Sequence, residues 1–259
     1  MNTGDDDRHK SDDESGDRAR YQPRRASELV VSLSHELRTP LHVIIGLAEL
    51  LADDQQPPSK KEVKRFAGDI QHAGEHLLGM VNDILDLSRI EAGKLRLEPE
   101  ILHLSSILKD AVEFMEVKAR ARPVAVSCEV IPPDMPVYAD ERRLRQILYN
   151  LLDNAIKYSP DDGEIRVIAT PDRDMALVRV MDQGPGVPPA QRDRIFEPFS
   201  RIEPNQTAET AQGPTGTGLG LSLTRQLVEM QGGRIWVEQP EQRGSVFAFC
   251  LPCEPPHED

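Results

Sequence analysis

Two regular series of apolar residues near the start of the chain constrain its fold most strongly. The first series recurs every three or four positions and consists of Leu29, Leu33, Leu37, Leu41, Ile44, Leu47 and Leu51. The second has the same spacing and consists of Phe66, Ile70, Ala73, Leu77, Val81, Ile84 and Leu87. Such steps place side chains on one face of a helix, and residues 53–58 between the two series carry turn and proline chemistry. We therefore predict two helices joined into an antiparallel hairpin.

A single hairpin of this kind covers its apolar faces poorly. Pairing with a second copy gives a four-helix bundle that covers the seams of both chains. We therefore expect a homodimer.

Length and charge limit the classes of partner. A chain of 259 residues suits two modest domains with tails. Its net charge of −13 argues against nucleic acid or an anionic membrane as the main partner. The longest apolar stretch, residues 41–52, is interrupted by polar residues and is too short to span a bilayer. We expect no nucleic-acid partner and no membrane insertion.

The cysteines point to a reducing compartment. Cys128, Cys250 and Cys253 cannot form a disulfide framework. Cys250 and Cys253 have redox spacing, but they end a strand-like run and no second pair is present for zinc. The expectation is three thiols in a cytoplasmic protein.

The pattern changes after Gly93, a residue suited to ending a helix. Helices are predicted over Ile101–Val117, Arg142–Tyr158 and Leu219–Gln231, and strands over Val124–Ile131, Glu164–Thr170, Met175–Met181, Arg234–Val237 and Ser245–Leu251. Strands and helices mixed without βαβ repetition predict an α/β sandwich, and thus an α+β fold overall. The expected division is a disordered polar tail over 1–25, the hairpin over 26–95, the sandwich over 96–253 and a short tail over 254–259.

The first helix carries a reactive combination of side chains. Within the run Ser34–Pro40, an imidazole at His35 is followed by the carboxylate of Glu36 and the hydroxyl of Thr39. Imidazole is a neutral nucleophile near pH 7, and Thr39 lies one helical turn beyond His35 on the same face. Alone, such a pair has no specific meaning.

Two segments of the second half suit phosphate and a flat ring. Asn150 and Asn154 are four residues apart on one helix face, with Lys157 one turn beyond, which suits magnesium and phosphate. An ordinary amphipathic helix with solvated amides explains them equally. Asp182 directly follows a strand and precedes glycines at 184 and 186, so its carboxylate could accept from an amine while the backbone approaches a ring. A simple turn is the alternative.

Two further segments are weak evidence for a nucleotide site when each is considered alone. The segment Arg194–Arg201 contains two phenylalanines that could anchor a lid or form a satellite hydrophobic cluster. The segment Gly216–Leu221 runs glycines into a helix start, where backbone amides favour phosphate. Its spacing matches neither the P-loop nor the dinucleotide fingerprint.

Taken together, in this order and spacing, the segments resemble the sensor histidine kinases of two-component signalling. Ser34–Leu41 is similar to the family's H box, Asn150–Tyr158 to the N box, Asp182–Gly186 to the G1 box, Arg194–Phe199 to the F box and Gly216–Leu221 to the G2 box. The resemblance implies a dimerisation and histidine phosphotransfer domain followed by an ATP-binding domain of the type shared with gyrase and Hsp90.

The resemblance also implies roles for individual residues. His35 would accept the γ-phosphoryl group of ATP, Glu36 would accept the proton on the other ring nitrogen, and Thr39 would position a water that dephosphorylates the partner. Asn154, with Asn150, would hold Mg²⁺. The implied ATP site consists of Asn150, Asn154, Lys157, Tyr158, Asp182, Gly184, Gly186, Arg201, Gly216, Thr217, Gly218, Leu219 and Gly220.

The expected function is autophosphorylation followed by transfer to an aspartate on the receiver domain of a separate response regulator. No receiver is expected within the chain, because only a short acidic tail follows Leu251. Input is expected from a separate sensory protein, from the tail, or from nothing. The alternatives are a scaffold that only binds nucleotide, which would have damaged boxes, and a gyrase-like or Hsp90-like ATPase, which would lack the hairpin.

Overall fold

A computed structural model describes residues 33–34, 36–53, 55, 57–119, 123–200, 218–240 and 243–255. The chain divides into two compact units, Met1–Val81 and Asn82–Asp259. The predicted fold class is confirmed, since a helical hairpin region precedes an α/β sheet domain.

Helix α1 covers residues 36–51, and helix α2 covers Lys60–Glu91. A capping box begins α2. The Glu62 carboxylate accepts from the Ser59 backbone N–H at 2.8 Å and from its hydroxyl at 2.7 Å, and these bonds hold the pKa of Glu62 below its usual range. In return, the Glu62 backbone N–H donates to the Ser59 hydroxyl oxygen at 3.4 Å, so the box satisfies N–H groups that the start of a helix leaves open.

The predicted helix stop at Gly93 is confirmed. Gly93 has a φ of +62°, a left-handed conformation that glycine adopts without strain. The Lys94 N–H then donates to the Arg89 carbonyl at 2.8 Å. This bond satisfies one of the carbonyls left open at the end of α2.

The first unit has both half-buried and exposed apolar residues. Seam residues such as Leu37, Ile44 and Leu47 are half-buried, and Ala73 is buried. Other large apolar side chains of this unit are exposed, namely Leu41, Val43, Ile45, Leu50, Val63, Leu78 and Val81. Because Leu41 and Val81 were expected inside the hairpin seams, the seams do not coincide fully with the faces that the folded unit buries.

The second unit contains a five-stranded sheet in the order β2-β4-β5-β7-β6 and a two-stranded sheet of β1 and β3. The strands are β1 (Glu100–His103), β2 (Ala125–Val130), β3 (Pro136–Ala139), β4 (Glu164–Asp172), β5 (Met175–Asp182), β6 (Arg234–Glu238) and β7 (Ser245–Pro252). The helices are α3 (Leu104–Ala119), α4 (Glu141–Tyr158) and α5 (Gly220–Met230). Only β2 and β4 pair in parallel; the other described pairs are antiparallel.

One element was predicted wrongly at its start. The helix expected over Ile101–Val117 begins only at Leu104, because Glu100–His103 form strand β1. This strand pairs antiparallel with β3, in a register that sets Ile101 opposite Tyr138. The distant partner decides the conformation of these four residues. The remaining predicted helices and strands are confirmed to within about two residues at each end.

Helices α4 and α5 pack through apolar faces on the inner face of the large sheet. Leu144, Ile147, Leu148 and Leu151 of α4 are fully buried in this core. The helix is therefore amphipathic, with its amides away from the leucine face. Among the described residues, no helix is both long and apolar enough to span a bilayer.

Candidate nucleotide-binding site

Asp182 lies at the end of β5 with only 7% of its surface exposed. Its Oδ1 accepts from the backbone N–H of Gly184 at 2.8 Å and from that of Ser245 at 3.2 Å. Burial raises the pKa of this carboxyl, and hydrogen bonding from the two backbone N–H groups and from the Ser245 side chain acts in the opposite direction. Both bonds go to Oδ1, so Oδ2 is the oxygen that can accept a hydrogen bond from a ligand amine.

The turn after Asp182 has no room for a side chain at either of its two glycines. A Cβ at Gly184 would lie 2.7 Å from the Tyr158 carbonyl oxygen, and one at Gly186 would lie 2.8 Å from that of Gly244. Gly186 also has a φ of +83°. The backbone of the predicted G1 segment thus lies against the end of α4 at Gly184 and against Gly244, before β7, at Gly186, and its glycines leave backbone open to a flat ring.

Sequence reasoning missed Gly244 and Ser245 as part of this turn. A Cβ at Gly244 would overlap the Asp182 carbonyl oxygen, and the Ser245 N–H donates to the Asp182 carboxylate. The only signal in the sequence was a Gly-Ser pair directly before an apolar strand.

Helix α4 brings the predicted N and G2 segments together. The Asn150 amide donates from Nδ2 to the Gly220 carbonyl and to the Thr224 hydroxyl, each at 3.3 Å. Asn154 is half-buried one turn further along α4. The two amides lie one turn apart on α4, and that of Asn150 contacts the start of α5 at Gly220.

Lys157 and Tyr158 end the same helix. The Lys157 ammonium forms an ion pair with Asp153 at 2.9 Å, and its side chain is partly exposed. An ammonium carries three donors, so this ion pair is compatible with a phosphate contact. The Tyr158 side chain is exposed, whereas its carbonyl faces Gly184.

The predicted F and G2 segments meet through their backbones. Phe196 is buried in a 3₁₀ turn, and its ring lies edge-on to Phe247 at 6.5 Å. The Phe199 N–H donates to the Gly218 carbonyl at 2.9 Å. A Cβ at Gly218 would lie 2.7 Å from the Phe199 Cα. Gly218 therefore packs against Phe199 two residues before α5 begins.

The other predicted site residues fall into two groups. The Leu219 side chain is buried, so only its backbone could face a ligand, and Gly220 is the first residue of α5. Arg201, Gly216 and Thr217 lie outside the described residues, as does His35. Its neighbours Glu36 and Thr39 lie on α1, half-buried and exposed respectively.

The donor set fits a nucleotide with magnesium. The carboxylate, with one oxygen held by backbone N–H groups, can accept a hydrogen bond from a ring amine. The glycines packed against carbonyls leave room for a flat ring. The pair of amides can supply oxygen ligands to a cation. The described residues contain no group of three or more histidines, cysteines or acidic residues that could hold a metal. A magnesium ion here would rely on amide and phosphate oxygens.

Two family models match this chain. The one described as "Histidine kinase-, DNA gyrase B-, and HSP90-like ATPase" matches residues 139–255, and the one described as "His Kinase A (phospho-acceptor) domain" matches residues 25–93. The first includes the described nucleotide site, and the second includes His35.

Curated relatives align with almost the whole chain. The "Non-motile and phage-resistance protein" of Caulobacter vibrioides is 38% identical over 87% of this chain and 27% of its own length. The "Circadian input-output histidine kinase CikA" of Synechococcus elongatus is 36% identical over 87% of this chain and 30% of its own length. The chain therefore spans less than a third of the length of either relative.

Solved structures agree with this assignment. The catalytic domain of the histidine kinase ThkA is 30% identical, with a TM-score of 0.52 over 61% of this chain and 97% of that one. ShkA in complex with AMPPNP is 31% identical, with a TM-score of 0.63 over 87% of this chain and 45% of that one. ThkA in complex with the response regulator protein TrrA is 25% identical, with a TM-score of 0.67 over 95% of this chain and 68% of that one.

A helical hairpin region followed by an α/β sheet domain is the arrangement that both family models describe. The chain belongs to the sensor histidine kinase family.

Proposed function

We propose that this chain is an ATP-dependent protein-histidine kinase that phosphorylates itself on His35 and passes the phosphoryl group to an aspartate of a separate response regulator. The observation that carries the proposal is the assembly of distant segments into one site. Gly184 and Ser245 bond to Asp182, Gly184 lies against the Tyr158 carbonyl at the end of α4, and Asn150 of the same helix bonds to Gly220. The complex of ThkA with a response regulator supports the choice of partner.

The ring end of the nucleotide is bound by Asp182. Its Oδ2 accepts from the adenine amine, while Oδ1 stays bonded to the backbone. Gly184 and Gly186 allow the backbone to approach the ring. The AMPPNP complex of ShkA supports ATP as the ligand.

The phosphate end lies along α4 and the start of α5. The amide oxygens of Asn154 and Asn150 would hold Mg²⁺, and the Lys157 ammonium, which is paired with Asp153, would donate to a phosphate oxygen. Mg²⁺ supplies neutralisation of phosphate charge. The residues Tyr158, Gly218, Leu219 and Gly220, with Arg201, Gly216 and Thr217, complete the proposed site.

The phosphoryl step uses His35 and Glu36. A bond forms between one imidazole nitrogen and the γ-phosphorus while the bond from that phosphorus to the bridging oxygen breaks, and ADP leaves with the electron pair. Glu36 takes up the proton of the other ring nitrogen. Thr39 positions a water for removing phosphate from the response regulator.

The organisation around this chemistry is also a proposal. The dimerisation and phosphotransfer domain covers 26–95 and the catalytic domain 96–253, between tails at 1–25 and 254–259. The exposed apolar residues of the first unit support a homodimer formed through a four-helix bundle. We place the protein in the cytoplasm, with a separate sensory protein as one source of input.

A transfer experiment tests the function. The chain is incubated with γ-labelled ATP and Mg²⁺, and a receiver domain is then added. We expect label on the kinase that is stable to base, labile to acid, and lost to the receiver. Asn154→Ala should abolish labelling while the dimer persists. Full labelling of Asn154→Ala would contradict the proposed magnesium site, and failure of the wild type to label would contradict the kinase assignment.

A further inference from the structure

The C-terminal end of α2 is held to the nucleotide helix by a buried polar cluster. The Asp86 Oδ2 accepts from the Arg143 guanidinium at 2.9 Å and from the Gln146 amide at 3.1 Å. Arg143 also donates to the Gln146 side-chain oxygen at 2.8 Å. We define Asp86, Arg143 and Gln146 as the α2–α4 triad.

The two charged side chains of the triad are largely buried. Only 8% of the Arg143 side chain and 14% of the Asp86 side chain are exposed. An ion pair at this depth is weakly screened, and removing one member leaves the other charge buried without compensation. Breaking the contact between Asp86 and Arg143 is therefore costly, in contrast to the exposed ion pair of Arg225 and Glu229 on α5.

The triad lies in the wall of a cavity. A space of about 770 Å³ is lined by Leu85 and Arg89 of α2 and by Arg142, Tyr149 and Asn150 of α4, together with the triad residues. The polar contacts of the triad thus join α2 and α4 at the edge of this cavity.

The triad also continues into the nucleotide site. Gln146 is one helical turn before Asn150 on α4, and Asn150 contacts Gly220 and Thr224 at the start of α5. On the other side, Leu87 and Ile90 of α2 pack against the core of the same unit. A change in the position of α2 at Asp86 must therefore be taken up by α4, on which the amide pair lies.

From this geometry we infer that Asp86 is a positioning residue, which couples the end of α2 to the amide pair of the nucleotide site through Arg143 and Gln146. The inference rests on the proposed function for the identity of the ligand. Reciprocity of coupling means that nucleotide binding should in turn stabilise the end of α2.

Hydrogen exchange on the full chain tests the coupling without requiring catalysis. A non-hydrolysable ATP analogue with Mg²⁺ should slow exchange over residues 82–91 of the wild type by at least about threefold. In Asp86→Asn the analogue should still bind, but this response should be lost. Asp69→Asn, an exposed change on the same helix, should respond like the wild type.

Two further variants keep the test decisive if Asp86→Asn does not fold. Gln146→Met removes one donor and leaves the ion pair, so the response should be reduced. Replacing the ion pair by Asp86→Leu with Arg143→Met removes both buried charges, a change that proteins often tolerate. This double variant should fold and bind the analogue without the response over 82–91.

A rate measurement adds a second readout. Asp86→Asn should slow autophosphorylation about tenfold while the analogue dissociation constant stays within about threefold of the wild type. A merely structural role would lower stability, affinity and rate together, and that result would overturn the inference.

The remaining outcomes separate this inference from the proposed function. A wild type that binds the analogue with no change over 82–91 overturns the coupling and leaves the nucleotide site intact. An unchanged response in the folded double variant does the same. A wild type that binds no analogue in a direct titration overturns the proposed function, and with it the inference.

Discussion

Asn150 and Gly220 are joined by a 3.3 Å hydrogen bond from the amide nitrogen to the carbonyl oxygen across 70 positions of sequence. The bond connects α4 to the first residue of α5, and thus connects two segments whose meaning in the sequence is weak when each is taken alone. Their contact in the folded unit favours a common ligand over two independent surface features.

Asp182→Asn should weaken binding of an ATP analogue by about thirtyfold or more with little loss of stability. The asparagine oxygen can keep the bonds from Gly184 and Ser245, whereas its amide replaces the acceptor that faces the ring amine. Titration calorimetry of the folded variant measures the effect. Asp161→Asn, in an exposed turn, is the matched control. Unchanged affinity in Asp182→Asn would refute the assigned role.

On acidification, nucleotide affinity should begin to fall at a higher pH than it would if the acceptor were a solvent-exposed aspartate. Burial raises the pKa of Asp182, so its protonated form is reached on acidification before that of a solvated aspartate, and the acceptor is then lost. Analogue affinity measured against pH should fall with a midpoint above that of an exposed aspartate. An affinity that is flat through this range, with the fold intact, would count against the carboxylate as acceptor.

Gly184→Ala should destabilise the second unit by about 1–3 kcal/mol, because its Cβ would lie 2.7 Å from a backbone carbonyl that cannot easily move. Gly79→Ala is the matched control. Nothing lies within 4 Å of a Cβ at Gly79, inside α2, so alanine there should stabilise by about 0.5–1 kcal/mol. Urea unfolding measures both, and equal effects of the two changes would contradict the close approach.

Asp83→Asn should stabilise the protein at neutral pH and not in acid. Burial, with the nearby Asp86, raises the pKa of Asp83 to about 6. The folded state then binds more protons than the unfolded state, so stability falls as pH rises from the ordinary aspartate range to about 6 and stays lower above it.

Urea unfolding of Asp83→Asn at pH 7.5 and pH 3.5 checks this sign. The gain should be present at the higher pH and absent at the lower one, where the carboxyl is protonated in both states. Asp69→Asn, exposed on the same helix, should show neither change. A gain of equal size at both pH values would show that ionisation of Asp83 does not lower the stability of the folded protein.

Leu78→Glu should dissociate the proposed dimer. Leu78 is 62% exposed on α2 within the first unit, so the change costs the single chain little packing, but it would bury a charge in a bundle. Sedimentation equilibrium should show monomers for Leu78→Glu and dimers for His72→Glu, an exposed change on the same helix. Dimers in both variants would mean that this face is not the interface.

Local sequence patterns predict most helices and strands of the fold, but they do not predict contacts between distant segments. Helix α4 and strands β4 and β5 form from patterns within short stretches, and the sequence predicts all three. Strand β1 differs from the predicted helix because its conformation depends on pairing with β3. The bond from Ser245 to Asp182 and the ion pair of Asp86 with Arg143 likewise exist only after folding.

Phosphosite mapping after incubation with ATP and Mg²⁺ tests the central claim most directly. The wild type should carry one phosphoryl group on His35, labile to acid and stable to base, and His35→Gln should carry none while still binding the ATP analogue. Full labelling of His35→Gln, or phosphate mapped to another residue in the wild type, would contradict the account.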